Sequence, residues 1–215
     1  MEKLARRLAH NISSSLGYDD EKEAVVAYGL IAIIQVSMII LLVFIFGILI
    51  SALIETLIVC LSVSILRKYS GGAHAGTAEV CTFVTVVYCT LTAFISKKVF
   101  AGIYNPFAMA AAVILVFATA FVIVYKLVPV DSPNKPIKTE KKIKRMRKVS
   151  FIILVVYFAV SLTFFILSKD SAVFQSYGIS LLFGISWQIF TLTYLGSLFI
   201  GKINNVIKIK KEVQR

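Results

Sequence analysis

Polar sequence is in short supply in this chain. No polar stretch exceeds roughly 25 residues, too few for a self-standing soluble core, so a soluble domain is excluded. Cysteine is scarce as well, at three residues. Cys60 and Cys89 sit inside apolar runs and Cys81 near the start of one, which rules out a disulfide framework. Acidic residues number 11 against 23 Lys and Arg, for a net charge of +12. Histidine occurs twice. No internal repeat is visible. The N-terminus lacks the short apolar block and small-residue cleavage site of a signal peptide, because its basic start is followed by polar residues through Glu23.

What is abundant is hydrocarbon. Hydrophobic residues make up 59% of the chain and the mean hydropathy is +0.88, where soluble domains average about 45–50% apolar. Apolar runs of about 18 residues or more recur, the mark of helical membrane spans. The expectation is an all-α polytopic membrane protein, one membrane domain over 1–215, with about six transmembrane helices. The spans fall near 24–46, 49–66, 79–96, 105–125, 149–167 and 175–200, with a tight turn near Gly47 to Ser51. Residues 24–66 must be two spans, since one straight helix of that length would reach about 65 Å across a hydrocarbon core of about 30 Å. Ahead of them Leu4, Leu8, Ile12 and Leu16 recur every four residues, with Lys3, Arg6 and Arg7 elsewhere on the wheel. Residues 1–18 therefore read as an amphipathic interfacial helix.

Charge orients the chain. Every Lys and Arg except Lys97, Lys98 and Lys169 falls in residues 1–23, 67–78, 126–148 or 202–215. With six spans those four segments share one side, and the positive-inside bias makes it the cytoplasm, both termini included. The basic excess thus serves topology and anionic lipids, and no nucleic-acid partner is expected. The 126–148 loop carries three early prolines and a later basic half suited to an interfacial helix.

One polar island interrupts the apolar runs: Arg67 to Cys81, RKYSGGAHAGTAEVC. It holds His74 and Cys81. A cysteine attacks as thiolate, which a neighbouring imidazole favours by accepting its proton, and the cytosol keeps thiols reduced. Seven residues apart on one helix, the pair would be separated by about 10 Å of rise, beyond the ~2.6–3.2 Å a base needs. The chain must break between them, and Gly71, Gly72 and Gly76 supply the backbone freedom. His74 is expected on a loop within 67–78, folded back over the first turn of span three, with Thr77 capping that span. A third group commonly orients such a base. The candidates are Asp131 in PVDSPNKP, Glu79, which lies about 160° around the helix from Cys81, and Glu55, an intramembrane acid. Plainer readings stand beside this one: a packing cysteine, a hydrogen-bonded boundary histidine, or a small peptide or ion transporter with Glu55, Gln35 and Gln188 along its path. Zinc on His74, Glu79 and Cys81 fits no recognised ligand spacing, so neither a metal nor another cofactor is expected.

RKYSGGAHAGTAEVC, followed two spans later by PVDSPNKPI, resembles the accessory gene regulator protein B (AgrB) family of Gram-positive bacteria. The chain length, the span layout and the basic loop after PVDSPNKP are similar too, so the resemblance covers essentially the whole chain. It implies a cell-membrane cysteine endopeptidase that removes the C-terminal tail of a quorum-sensing propeptide, AgrD, with His74 and Cys81 as the catalytic pair. The peptide is then closed into a thiolactone or lactone. The family's propeptide has an acidic tail, which Arg67, Lys68, Lys141, Lys142 and Arg145 would meet from the same membrane side. Backbone N–H groups from Gly76 to Cys81 are the expected oxyanion donors, and a homodimer is the expected assembly.

Overall fold

A computed structural model describes residues 2–73, 76–130 and 139–213, with backbone alone beyond residue 204. The described residues form eight α-helices: α1 (Glu2–Leu16), α2 (Asp20–Leu49), α3 (Leu53–Ser70), α4 (Ala78–Ile95), α5 (Pro106–Leu127), α6 (Glu140–Leu167), α7 (Ala172–Leu192) and α8 (Tyr194–Val213). A π-helical turn, Ser96–Phe100, continues α4. Short polar side chains start several of them. Asp19, Thr77 and Asn105 accept from Lys22 N, Val80 N and Ala108 N, and each satisfies an amide that a helix start leaves open.

The protein is a multi-pass membrane protein of helices. Four helices are long and apolar enough to cross a membrane, namely α2, α4 with its π turn, α5 and α6, and the bent pair α7–α8 would make a fifth. The short α3 carries Glu55, Arg67 and Lys68 within its 18 residues. The expected turn between the first two spans is present, with Ser51 at φ 55°, although α3 begins at Leu53 rather than near 49. Two other expectations need correcting. The basic half of the 126–148 loop, from Glu140 onward, is the start of α6 and runs straight into the apolar span. The span expected over 175–200 is two helices that meet at 86°. Thr193 is extended there (φ −85°, ψ 161°), and its Oγ1 accepts from Gly196 N at 3.2 Å, which starts a new helix in place of continuing the old one.

α7 is the hub. It packs on α3, α4, α5 and α6, and its buried face alternates bulk with small residues such as Gly178, Ser180 and Gly184. At Gly184 a Cβ would stand 1.8 Å from Ser62 Oγ, so the α3–α7 backbones approach closely only because both residues are small. Leu66, Phe117, Leu154 and Ile185 fill the main apolar cluster, and Cys60 and Cys89 lie buried in a second with Val43, Val59 and Val86. Apolar side chains along α2 and α6 point outward, among them Ile33, Val36, Ile40, Val155 and Val156, as lipid-facing helices require. α1 packs its small side, Ala5, Ala9 and Ser13, inward, and leaves Leu4, Leu8, Ile12 and Leu16 exposed.

Glu55 closes one end of this bundle. Its carboxylate is 1% exposed; Oε1 accepts from Ser176 Oγ at 2.9 Å and lies 3.5 Å from Lys97 Nζ on the π turn. Gln175 donates to the carbonyls of Phe100 and Ile103 at the same end. Three helix ends are thus tied by buried polar groups. Lys97→Met would leave the carboxylate buried without its cation, and a loss of about 3 kcal/mol is the expected order. Thermal unfolding in detergent should show a clear fall in midpoint, and an unchanged midpoint would remove the ion pair from the list of stabilising contacts.

Candidate active site

The opposite end of the bundle holds Cys81. Its amide donates to Thr77 O at 3.1 Å, so the residue sits in the first turn of α4, immediately after the Thr77 cap. Its half-buried side chain lines a small pocket with Arg67, Ala73, Val84, Thr85, Trp187, Ile200 and Ile203. The pocket offers about 20 Å³, enough for about one water. Trp187 is held flat against Tyr88 with ring centroids 4.3 Å apart, and Tyr88 in turn donates to Phe183 O at 2.8 Å. Three distant parts of the chain, α3–α4, α7 and α8, therefore meet around one thiol.

The segment that leads to His74 is fastened residue by residue. Val130 N donates to Ser70 O at 2.9 Å, and Val130 pairs with Gly71 as an isolated parallel bridge. Gln188 Nε2 donates to Ser70 Oγ at 2.9 Å and to Gly71 O at 2.8 Å. Ala73 N donates to Thr191 O at 2.9 Å, and Arg67 Nη2 donates to Ala73 O. Beyond the histidine, Gly76 N donates to Asn204 Oδ1 at 2.8 Å. Glycine is required upstream: Gly71 has φ 74° and Gly72 φ 129°, both costly for residues with a Cβ. The segment that carries Val130 is itself anchored from behind, where Arg147 Nε donates to Val128 O at 2.8 Å.

The other expected site residues are spread more widely. His74 and Asp131 lie outside the described residues, so the zinc alternative through His74 and the Asp131 third-group expectation lie there too. Glu55 is not part of this site: it opens α3 while Arg67 nears its end, a rise of about 18 Å, and its partners are Lys97 and Ser176. Glu79 is exposed and does not line the pocket. Lys68 is exposed, over the Tyr69 ring at 5.7 Å; Lys141, Lys142 and Arg145 are exposed on the first turns of α6 and do not reach the pocket. Of the basic residues expected to bind substrate, Arg67 alone lines it. The expected oxyanion donors are mostly committed elsewhere: Gly76 N to Asn204, Ala78 N to Glu2 Oε1 at 3.4 Å, Val80 N to Thr77 Oγ1 and Cys81 N to Thr77 O. Of the residues on the alternative transporter path, Gln188 serves the loop at this end and Glu55 the far end.

Thr191 and Asn204 were not among the expected site residues, and Gln188 and Arg147 were not expected to hold this loop. Each acts on backbone far away in sequence, and nothing in its neighbours' spacing announces the partner.

A family model described as Accessory gene regulator B matches residues 2–192. The chain belongs to the AgrB family. It is 38% identical over 207 residues to an AgrB-like protein of Clostridium perfringens strain SM101, covering 95% of this chain and 97% of the relative. A second AgrB-like protein, from C. perfringens strain 13, is 37% identical over the same shares. An AgrB-like protein of Halalkalibacterium halodurans is 26% identical over 157 residues, 73% of this chain and 75% of its own. No solved structure matches. Membership in the AgrB family supports a role in processing the agr quorum-sensing propeptide. The family match ends at Leu192, the last residue of α7.

Proposed function

We propose that this chain is a cell-membrane cysteine endopeptidase that cleaves the C-terminal tail from an AgrD-like propeptide and passes the acyl group to the peptide's own nucleophile. The observation that carries the reading is the position of Cys81: in the first turn of α4, opening on a small pocket beside the Arg67 guanidinium, with the His74 loop fastened on both sides of the histidine.

The Cys81 thiolate attacks the scissile carbonyl; the C–S bond forms and the π electrons move onto oxygen. A positive helix end favours the thiolate. Since the nearby amides are engaged, the growing oxyanion is met by Arg67, whose guanidinium carries five N–H donors and spends one on Ala73 O. Collapse breaks the C–N bond as His74 protonates the leaving amine. The acyl-enzyme is a thioester. The peptide's internal thiol, losing its proton to His74, displaces Cys81 and leaves a thiolactone; an internal hydroxyl would leave a lactone. Thioester exchange is near balance, whereas hydrolysis is irreversible, so water must be kept out and the internal thiol held close. Trp187, Ile200 and Ile203 wall the pocket against water.

The basic segments support a cytoplasmic site. Glu2 of α1, residues of the 67–78 loop, Val130 and Asn204 make contact at one end of the bundle, and all four basic segments meet there. The acidic tail would approach this face, steered by exposed Lys68, Lys141, Lys142 and Arg145, with anionic lipids as competing partners.

The test is the full-length protein in liposomes, supplied with a tail-bearing propeptide. Mass spectrometry should find tail and cyclic peptide with the wild type and neither with His74→Ala. Tail release by that variant at the wild-type rate would end the peptidase reading. Arg67→Ala is expected to lower kcat by about 100-fold, the usual cost of one oxyanion donor. Arg67→Lys should recover part of it, because charge returns without the fork that reaches Ala73 O. Equal rates for Arg67→Ala and wild type would remove Arg67 from the mechanism.

A further inference from the structure

We infer that Asn204, beyond the α7–α8 bend, is a positioning residue for the histidine-bearing loop, and that α8 is through it a working part of the catalytic unit. The inference rests on the peptidase reading above. Gly76 is two residues past His74, and its amide donates to Asn204 Oδ1 at 2.8 Å. Ala73, the residue before His74, donates its amide to Thr191 O at 2.9 Å. The two ends of the His74–Ala75 segment are therefore fastened to α7 and α8, on either side of an 86° bend. A base must be held within a fraction of an ångström of its working place, and Ala73 and Gly76 are the points from which the fold can hold this one.

A second observation comes from the same helix. Ile200 and Ile203 line the pocket of Cys81, and Ile200, Ile203 and Asn204 are spaced i, i+3, i+4, which places them on one helical face. One face of α8 thus sets aliphatic side chains beside the thiol and an amide on the loop two residues past His74. Gly76 packs close to that amide, since a Cβ there would meet Asn204 Cγ at 3.5 Å. A helix that only anchored the chain in lipid would need no amide turned toward Gly76 at this position. Cysteine–histidine pairs on other folds employ a third polar group to orient the base; here the amide acts through the backbone of the loop.

Two substitutions separate the amide's role from mere packing. Asn204→Leu keeps the size and loses the acceptor, and Asn204→Asp keeps an acceptor. The full-length protein in liposomes is assayed for tail release beside His74→Ala and Cys81→Ser, and the pH profile of iodoacetamide alkylation at Cys81 is recorded for each variant that retains the thiol. Asn204→Leu is expected to lower kcat by about 10–100-fold with KM nearly unchanged, as a misplaced catalytic group does. Its alkylation profile should move in the same direction as that of His74→Ala, and Asn204→Asp should restore both readouts. If Asn204→Leu keeps the wild-type kcat and profile while His74→Ala loses both, the inference falls and the peptidase reading stands. It falls equally if Asn204→Asp is as impaired as Asn204→Leu. If Cys81→Ser releases the tail like the wild type, both fall together.

Discussion

Cys81→Ser is expected to lower tail release by at least about 10⁴-fold, the scale on which removing a covalent nucleophile acts. A serine hydroxyl is far less ionised than a thiol and far weaker in attack. The two other cysteines give the internal comparison. Cys60 and Cys89 are buried among Val43, Val59 and Val86, away from the pocket, so Cys60→Ser and Cys89→Ser should leave the release rate as it is. Single-turnover mass spectrometry of the released tail reads all three variants. A wild-type rate for Cys81→Ser, or loss in either of the others, would place the nucleophile elsewhere.

Gly71→Ala should be nearly as damaging, at about 100-fold or more in kcat if the loop is displaced by an ångström. The backbone at Gly71 has φ 74° and ψ −146°, a region essentially reserved for glycine that costs other residues about 1–3 kcal/mol. The added methyl would also stand 2.0 Å from Val130 O, which is backbone and cannot swing aside. Relief requires breaking the Gly71–Val130 bridge, and that bridge lies three residues before His74. The substitution is read by tail release together with the thermal midpoint. Loss of release with a modest change of midpoint is expected, because the bundle's apolar core at Leu66, Leu154 and Ile185 is untouched. Wild-type release from Gly71→Ala would show that the bridge does not position the site.

How far the chain could be read in advance depended on how local each cause is. Apolar runs are local, and those within α2, α4, α5 and α6 are helical. Thr77 and Asn105 are caps because each meets an amide only three residues further along the chain, and the turn at Ser51 is forced by the length of the run. The demand for a break between His74 and Cys81 came from helix rise alone; α3 does end at Ser70 and α4 does begin at Ala78, with the left-handed glycines between. The bend at Thr193 was missed although its signal is local, because a threonine in an apolar run reads equally well as a buried helical residue. The fasteners were out of reach for another reason. Gln188 to Gly71 and Asn204 to Gly76 join residues more than a hundred positions apart, and an amide's partner is set by the packing of α7 on α3. Glu55 could be recognised as a buried acid, yet its cation sits in a π turn that no periodicity foretells.

The fastening of the loop by the last two helices bears on how the protein is made. Residues 67–81 leave the ribosome with their nucleophile complete, but Gln188, Thr191 and Asn204 emerge more than a hundred residues later. Until α7 has inserted and α8 has folded across the site, Gly71 and Ala73 lack their bonds to Gln188 and Thr191, and Gly76 lacks its bond to Asn204. On the peptidase reading, a chain still short of α8 carries its thiol before the surrounding loop is fully fastened, so a nascent copy is expected to be inert toward its neighbours.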